Sequence, residues 1–466
     1  MADERTKTTA AISKLQQLGF KYNDTAQEVI DICDAWYMNE EKSFHTRKNL
    51  NGVEIVLQSL NFAKRCCADD ANLCEIVEIN AGEDTEKFEG VLDILDRNRF
   101  QVMYRKQLER VSATGTVGAY LRLKNAEFLE NGRARGGEIR INYVSASGII
   151  PITVENEEIL ECAFVGTALR SGKMVQVLVI FMLDDTNRYK ATTYTFDQAG
   201  KMIEEPQEVQ LGDVKPFAIM RTAEVNNLRE MDGYGLPRLY GAIPALKVLD
   251  LCWNILHGDL EKGDKLMFIN ELLAEIKKDE NGNPMLSKQQ KELFILLGEH
   301  LPDQKTLIYE YNPEIRVDKI EKTLELCLSM LSMSFGYGTK KYTFENGQIK
   351  TATEYIGERQ DEMQELNKQR QEAKAYIVGI ARAIIWFSNT FHGTTWNTEE
   401  EICVEFDDSF IIDRETEIAS MRQDAISFPE VKEFMVQYVM MRLNCDRKEA
   451  LKFIAATPEE VDETED

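Results

Sequence analysis

The sequence predicts an α+β fold on three observations. Alternating, strand-like runs are gathered between about Glu138 and Met220. Helical periodicity dominates before and after that block. One helical run, Thr351 to Phe391, is longer than a compact domain needs, at roughly 60 Å for 1.5 Å per residue.

In chain order, a helix is expected over Ala26–Met38 and a second over Val53 to about Ala68, with Val53, Val56, Leu57, Leu60 and Ala63 on one face. A third runs from Phe88 to Leu108 through Val91, Leu92, Leu95 and Phe100. The chain then turns through Gly115. This stretch imitates a phosphate loop, but the Lys-Ser/Thr that completes one is missing. Ile139–Val144, Gln176–Met182 and Tyr189–Phe196 alternate as strands of an antiparallel meander, with turn residues at Asp184–Asn187 and Asp197–Gly200.

Asp232-Gly-Tyr-Gly-Leu-Pro237 breaks this block and opens a helix carrying Leu239, Ile243, Leu246, Leu249, Trp253 and Leu256, ending near Gly258 or Gly263. A small α/β insert follows, about Lys265 to Ile315. It has a strand at Leu266, a turn at Asn281–Pro284, a helix opened by Ser287 with Gln290, and a closing strand from Thr306. Val317–Ser334 is again helical, through Ile320, Leu324, Cys327, Leu328 and Leu331. The glycine-punctuated loop after it leads to the long helix, whose start Thr351 and Glu354 mark with capping-box spacing. Ala352, Ile356, Met363, Leu366, Ala373, Ile377, Ile380, Ile384 and Phe387 form its apolar stripe. A rod of this length suggests a bundle or an assembly in which neighbouring chains bury that stripe. A strand at Ile402, helices over Glu430–Ala456 and an acidic end from Thr457 complete the chain.

At 466 residues the chain is expected to form two to four domains. Its formal charge of −25 argues against a surface built to grip phosphates, and suits solubility at high local concentration. The polar opening predicts no signal peptide, and no apolar run long enough to span a membrane is expected. The nine cysteines lack a C-x-x-C pair and read as buried free thiols; the adjacent Cys66 and Cys67 suit neither a disulfide nor one metal. His45, His257, His300 and His392 are scattered without ligand spacing, so no metal or cofactor is expected. Asp279–Asn283 imitates a calcium loop, but Pro284 stands where its glycine belongs and Gln290 where its glutamate does. Asp407, Asp408 and Asp413 could be a magnesium cluster or solvated ends of elements. Catalysis is not expected.

The order of these pieces resembles the portal proteins of tailed bacteriophages, of the type found in phages of Gram-positive hosts. The likeness spans about Val53 to Asp413. It rests on Ile149-Ile-Pro-Ile, Glu161-Cys-Ala-Phe164, Pro216-Phe-Ala-Ile leading to Asn226-Asn227, Gly235-Leu-Pro-Arg-Leu, Lys350-Thr-Ala-Thr-Glu354, and Phe406-Asp-Asp-Ser409 with Asp413. From about Ser427 the chain departs from the pattern. The resemblance implies a wing over 1–235, a first stem helix over 236–262, a clip over 263–316 and a second stem helix over 317–335. It then implies a tunnel loop over 336–350, a long wing helix with its strand over 351–426, and a crown or tail over 427–466.

It also implies a ring, usually of twelve copies, at one capsid vertex, in the host cytoplasm during assembly and then in the virion. Double-stranded DNA would pass through it without sequence readout. The terminase large subunit, a head–tail adaptor, and the major capsid and scaffolding proteins would be partners; no membrane would be. Twelve copies would carry about 300 negative charges (12 × 25), so a carboxylate-lined tunnel would let DNA slide. In the loop, Lys340 and Lys341 would meet phosphates, and Tyr342 and Phe344 would set the bore, within the projecting run Thr339–Glu345 (with Thr343) that Asn346-Gly347 closes. Lys288 and Lys291 of the clip would face the motor and adaptor. Two other readings stand beside this one: a structural helical-assembly protein with no DNA role, and an enzyme with an unrecognised carboxylate site.

Overall fold

The computed structural model describes residues 4–48, 52–81, 85–128, 134–135, 137–170, 172–263, 266–270, 294–297, 308–312, 314–343, 360–397, 401–406, 414–427, 432–443 and 447–456. Helix and sheet are mixed, as an α+β class requires.

After α1 (Glu4–Gln17), α2 (Asp24–Tyr37) begins where the Asn23 side chain accepts from the Ala26 amide, and it buries Ile30, Cys33 and Trp36. The helix expected from Val53 does not form. Gly52, at φ +75°, turns the chain into a hairpin of β1 (Thr46–Lys48) and β2 (Glu54–Val56). Val53-Glu-Ile-Val therefore follows the strand period, and α3 (Phe62–Asn72) starts only after left-handed Asn61. β3 (Ile76–Ala81) follows. The expected third helix is two: α4 (Thr85–Arg97) and α5 (Phe100–Thr114), separated at Arg99 with φ +53°. The break is anchored, because the Asn98 side chain donates to the Ile94 and Ile139 carbonyls and accepts from the Ile141 amide.

Gly115 ends α5 in the left-handed region, and a Cβ there would sit 2.3 Å from the Gly235 carbonyl oxygen. Only glycine allows the two backbones to pass so closely. β4 (Thr116–Lys124), β5 (Glu127–Phe128), β6 (Ala134–Arg135) and β7 (Glu138–Ser145) follow. The expected meander is present as β8 (Ile149–Glu155), β9 (Glu158–Arg170), β10 (Lys173–Leu183), β11 (Tyr189–Phe196) and β12 (Gln207–Gln210), adjacent in sequence order and antiparallel. β13 (Phe217–Arg221) joins β4 and β7 in a three-stranded sheet. Phe164, Phe181 and Phe217 pack ring to ring at 5.5–5.8 Å between the two sheets.

α6 (Arg238–Lys262) then runs out to β14 (Leu266–Asn270), which pairs in parallel with β15 (Phe294–Leu297) and antiparallel with β16 (Ile308–Tyr311). The helix expected from Ser287, with Lys288 and Lys291, lies outside the described residues. α7 (Val317–Ser334) returns antiparallel to α6, with the bounds its periodicity predicts. Arg316 forks onto Asp259 at 2.8 and 2.9 Å where the insert meets the helices. Leu239, Ala242, Leu246 and Leu249 bury against Cys327, Leu328 and Leu331 within one subunit, while Trp253 of the same predicted stripe stays exposed. α6 is also long and apolar enough to cross a membrane by length and composition, with an 18-residue window of mean hydropathy 1.3 inside 238–261. That corrects the expectation that no such run exists; the isolated charges Lys247 and Asp250 interrupt the run and hide its average. Its packing on α7 covers part of it within the protein.

α8 (Gln360–Phe387) is the described part of the long helix; Thr351, Glu354 and Ile356 lie outside. Among the described residues its stripe is not left for neighbours. Leu366 packs with the α6–α7 pair, while Ala373, Ile377, Ile380, Ile384 and Phe387 are central to the main core, under β4 and β13 and beside α4. A π turn, Ser388–His392, ends the helix at Gly393. The expected strand, β17 (Ile402–Phe406), returns to pair with β3. Asp407, Asp408 and Asp413 lie outside the described residues. α9 (Arg414–Ser427), α10 (Lys432–Leu443) and α11 (Arg447–Ala456) close the chain.

Candidate functional site: the junction around Arg238

Arg238 opens α6 with its side chain fully enclosed. Its Nη1 lies 3.1 Å from Asp70 of α3 and 3.1 Å from Glu365 of α8, and its Nη2 3.6 Å from Glu224 after β13. Nη2 also donates to the Phe335 carbonyl, which ends α7. The guanidinium stands 5.4 Å from the Phe335 ring and 5.9 Å from that of Tyr337. Tyr337 in turn donates a 2.6 Å hydrogen bond to the same Asp70 oxygen. One side chain thus joins both antiparallel helices, the long helix, α3 and the loop.

The electrostatics follow from the count of charges. Burial opposes the guanidinium charge, but Asp70, Tyr337, Glu224 and Glu365 more than offset it, so Arg238 is held above its ordinary value. Burial also pushes Glu224 up, with Arg238 opposing and Glu365 adding to the shift. Tyr337 is pushed well up by burial and by Asp70, and stays a neutral donor. Lys368 and Gln369 supply Glu365 with further contacts at 3.5 and 2.9 Å. A cleft of about 550 Å³ lined by Arg221, Tyr234 and Glu372 reaches the junction through Glu224.

The loop leaves this junction through Gly336 and Gly338, at φ +70° and +68°, as its expected reversal needs. A Cβ on Gly336 would also press on the Glu365 side chain at 3.1 Å. Beyond it, Lys341 pairs with buried Glu362 and lies 5.2 Å above the Tyr337 ring. The Tyr342 amide donates to the Ser332 hydroxyl, and its ring meets Phe62 edge-on at 5.2 Å. Lys340 and Thr343 are exposed. Lys341 and Tyr342 thus have partners inside their own chain, which the sequence did not reveal; Phe344, Glu345 and Asn346 lie outside the described residues.

Among the described residues, no group of three or more His, Cys, Asp or Glu could hold an ion. The described cysteines are free, and burial pushes Cys66 and Cys74 up to about 12, far from reactive thiolates. Sequence reasoning missed Arg238 as a centre. Gly235-Leu-Pro-Arg-Leu places an arginine at the start of an apolar helix, but only its burial in the fold creates the need for carboxylate partners.

No curated protein matches the chain. The family model described as "Phage portal protein, SPP1 Gp6-like" matches residues 34–427, a span holding Asp70, Glu224, Arg238, Phe335, Tyr337 and Glu365. With that match over most of its length, this chain belongs to the SPP1 Gp6-like family of phage portal proteins.

Proposed function

We propose that the chain closes into a ring, twelve copies being favoured, at one capsid vertex, and that double-stranded DNA enters and leaves the capsid through its bore. One observation about this chain supports the ring most. After α6 and α7 have buried their facing stripes in each other, Tyr240, Val248, Trp253, Ile255 and Leu260 of α6 remain exposed, as do Leu326, Met330 and Met333 of α7. Large apolar side chains on two neighbouring helices suit a heterologous contact repeated around a closed ring.

In this reading 1–235 is the wing, 236–262 and 317–335 are the stem helices, 263–316 is the clip, 336–350 is the tunnel loop and 427–466 is the crown. The clip is the docking surface for the terminase large subunit and then the head–tail adaptor, with Lys288 and Lys291 on it. The loop residues from Lys340 to Asn346 touch the DNA backbone weakly, since duplex must slide past. The vertex position brings contacts with major capsid and scaffolding proteins, and places the chain in the host cytoplasm before the virion is complete. The role is mechanical and not catalytic. Native mass spectrometry at micromolar concentration tests the assembly: closed oligomers of about twelve subunits are expected, and a monomer alone would overturn it.

A further inference from the structure

The register of β4 and β7 sets Arg122 directly opposite Arg140 on one face of their sheet. Like charges in that position repel. Arg140 is pulled aside by Glu138 at 2.5 Å, while Arg122 has no ion-pair partner among the described residues. Lys124 stands two residues along β4, and Arg97 and Arg99 flank the α4–α5 break. These five cations line one open cleft of about 400 Å³. Asp93, 3.6 Å from Arg97, is the other carboxylate paired there. A positive patch is thus held on a chain whose net charge is −25.

Inside the patch, the Nε of Arg140 and the Nδ2 of Asn142 are buried without a hydrogen-bond partner among the described residues. Both are donors, so what they lack is an acceptor. Water would satisfy a donor but would leave the repulsion between Arg122 and Arg140 in place. An oxyanion does both. Arg122 and Asn142 also line an adjoining cleft of about 270 Å³, so the donors continue beyond one anion's width.

We infer that this β4–β7 face is a phosphate-binding surface that takes the backbone of double-stranded DNA, apart from any contact in the bore. Four of the five cations are arginines, whose forked donors match phosphate oxygens. Charge spread over an open face, with little beyond Met103, Ile141 and Tyr143 as apolar lining, suits backbone contact better than an acidic peptide, which would want anchoring pockets. The choice of DNA rests on the portal reading; the anion surface itself does not.

The test is fluorescence anisotropy of a short labelled duplex with the full-length protein, between about 50 and 200 mM salt. Wild type should bind with a log–log salt slope of about −3, as for three to four phosphates. Arg122→Gln with Arg140→Gln should weaken binding tenfold or more and flatten the slope by about two. Its unfolding midpoint should change little, because the Arg122–Arg140 repulsion and the exposed Arg140–Glu138 pair are lost together. If that pair fails to fold, the exposed pair Arg99→Gln with Lys124→Gln should show the same loss. Unchanged DNA affinity in the folded variants overturns the inference. So does a wild type that binds a glutamate-rich peptide but no duplex. Negative-stain images of the same samples keep the two ideas apart. Rings whose duplex binding ignores the patch defeat the site alone, and patch-dependent binding without rings defeats the portal reading alone.

Discussion

Arg238 Nη1 lies 3.1 Å from Glu365 Oε1, and this contact ties the first residue of α6 to the long helix α8 in the centre of the fold. Asp70, at the same distance from the same nitrogen, and the carbonyl of Phe335 bring α3 and α7 to the same point. The loop after α7 begins at that point, so its base is fixed by buried charge and not by solvent-facing contacts.

Removing the cation should therefore be costly. Arg238→Ala leaves Asp70 and Glu365 buried without their counter-charge, and should destabilise the subunit by about 3–5 kcal/mol. Arg238→Lys should recover only part of this, because an ammonium has no fork to span Asp70, Glu365 and Phe335 together. Urea midpoints of the three proteins measure the difference. Equal midpoints would remove Arg238 from its central place.

The raised carboxyl of Glu224 gives a pH dependence with a definite sign. Its folded value lies above the ordinary 4.5, so the folded state holds the proton more tightly than the unfolded chain. That stabilisation is present below 4.5 and is lost as pH rises through the folded value. Glu224→Gln should flatten this part of the stability profile and cost little at neutral pH. A steeper profile in the variant would contradict the assignment.

In the loop, Lys340 and Lys341 should part company. Lys341→Glu sets a second carboxylate against buried Glu362 and should cost about 1–3 kcal/mol of stability. Lys340→Glu, on an exposed side chain, should leave ring assembly alone but lower the yield of DNA-filled capsids. Thermal melts and capsid counts read the two effects separately. Identical behaviour of the two variants would sink the distinction.

Asp250 offers a check midway along α6. Its carboxylate accepts from the Leu60 amide at 2.9 Å and lies 2.9 Å from His45 Nε2. Asp250→Ala leaves both without that partner and should cost about 1–3 kcal/mol, read from denaturant midpoints. No loss would mean these contacts are replaced by solvent.

Periodicity made the helix Val317–Ser334 and the strand Lys173–Leu183 legible, because each has one buried face and clear turn residues at its ends. It failed at Val53–Leu60, where apolar residues fit either period and Gly52 decided for a hairpin. It failed again at Arg99, a left-handed residue that no helical pattern marks. The long helix's stripe was visible, but its destination was not: whether Ile380 and Ile384 face a neighbour or their own sheets depends on tertiary packing. The Arg238 junction gathers residues from five separate stretches, and no local spacing could have joined them.

The central claim is a ring with an open bore, and class averages of the purified protein by negative-stain electron microscopy test it most directly. Closed rings with a central hole wide enough for a B-form duplex are predicted, with Trp253→Asp and Met330→Asp leaving folded subunits that no longer close. Monomers, open filaments or rings without a hole in the wild-type protein would contradict it.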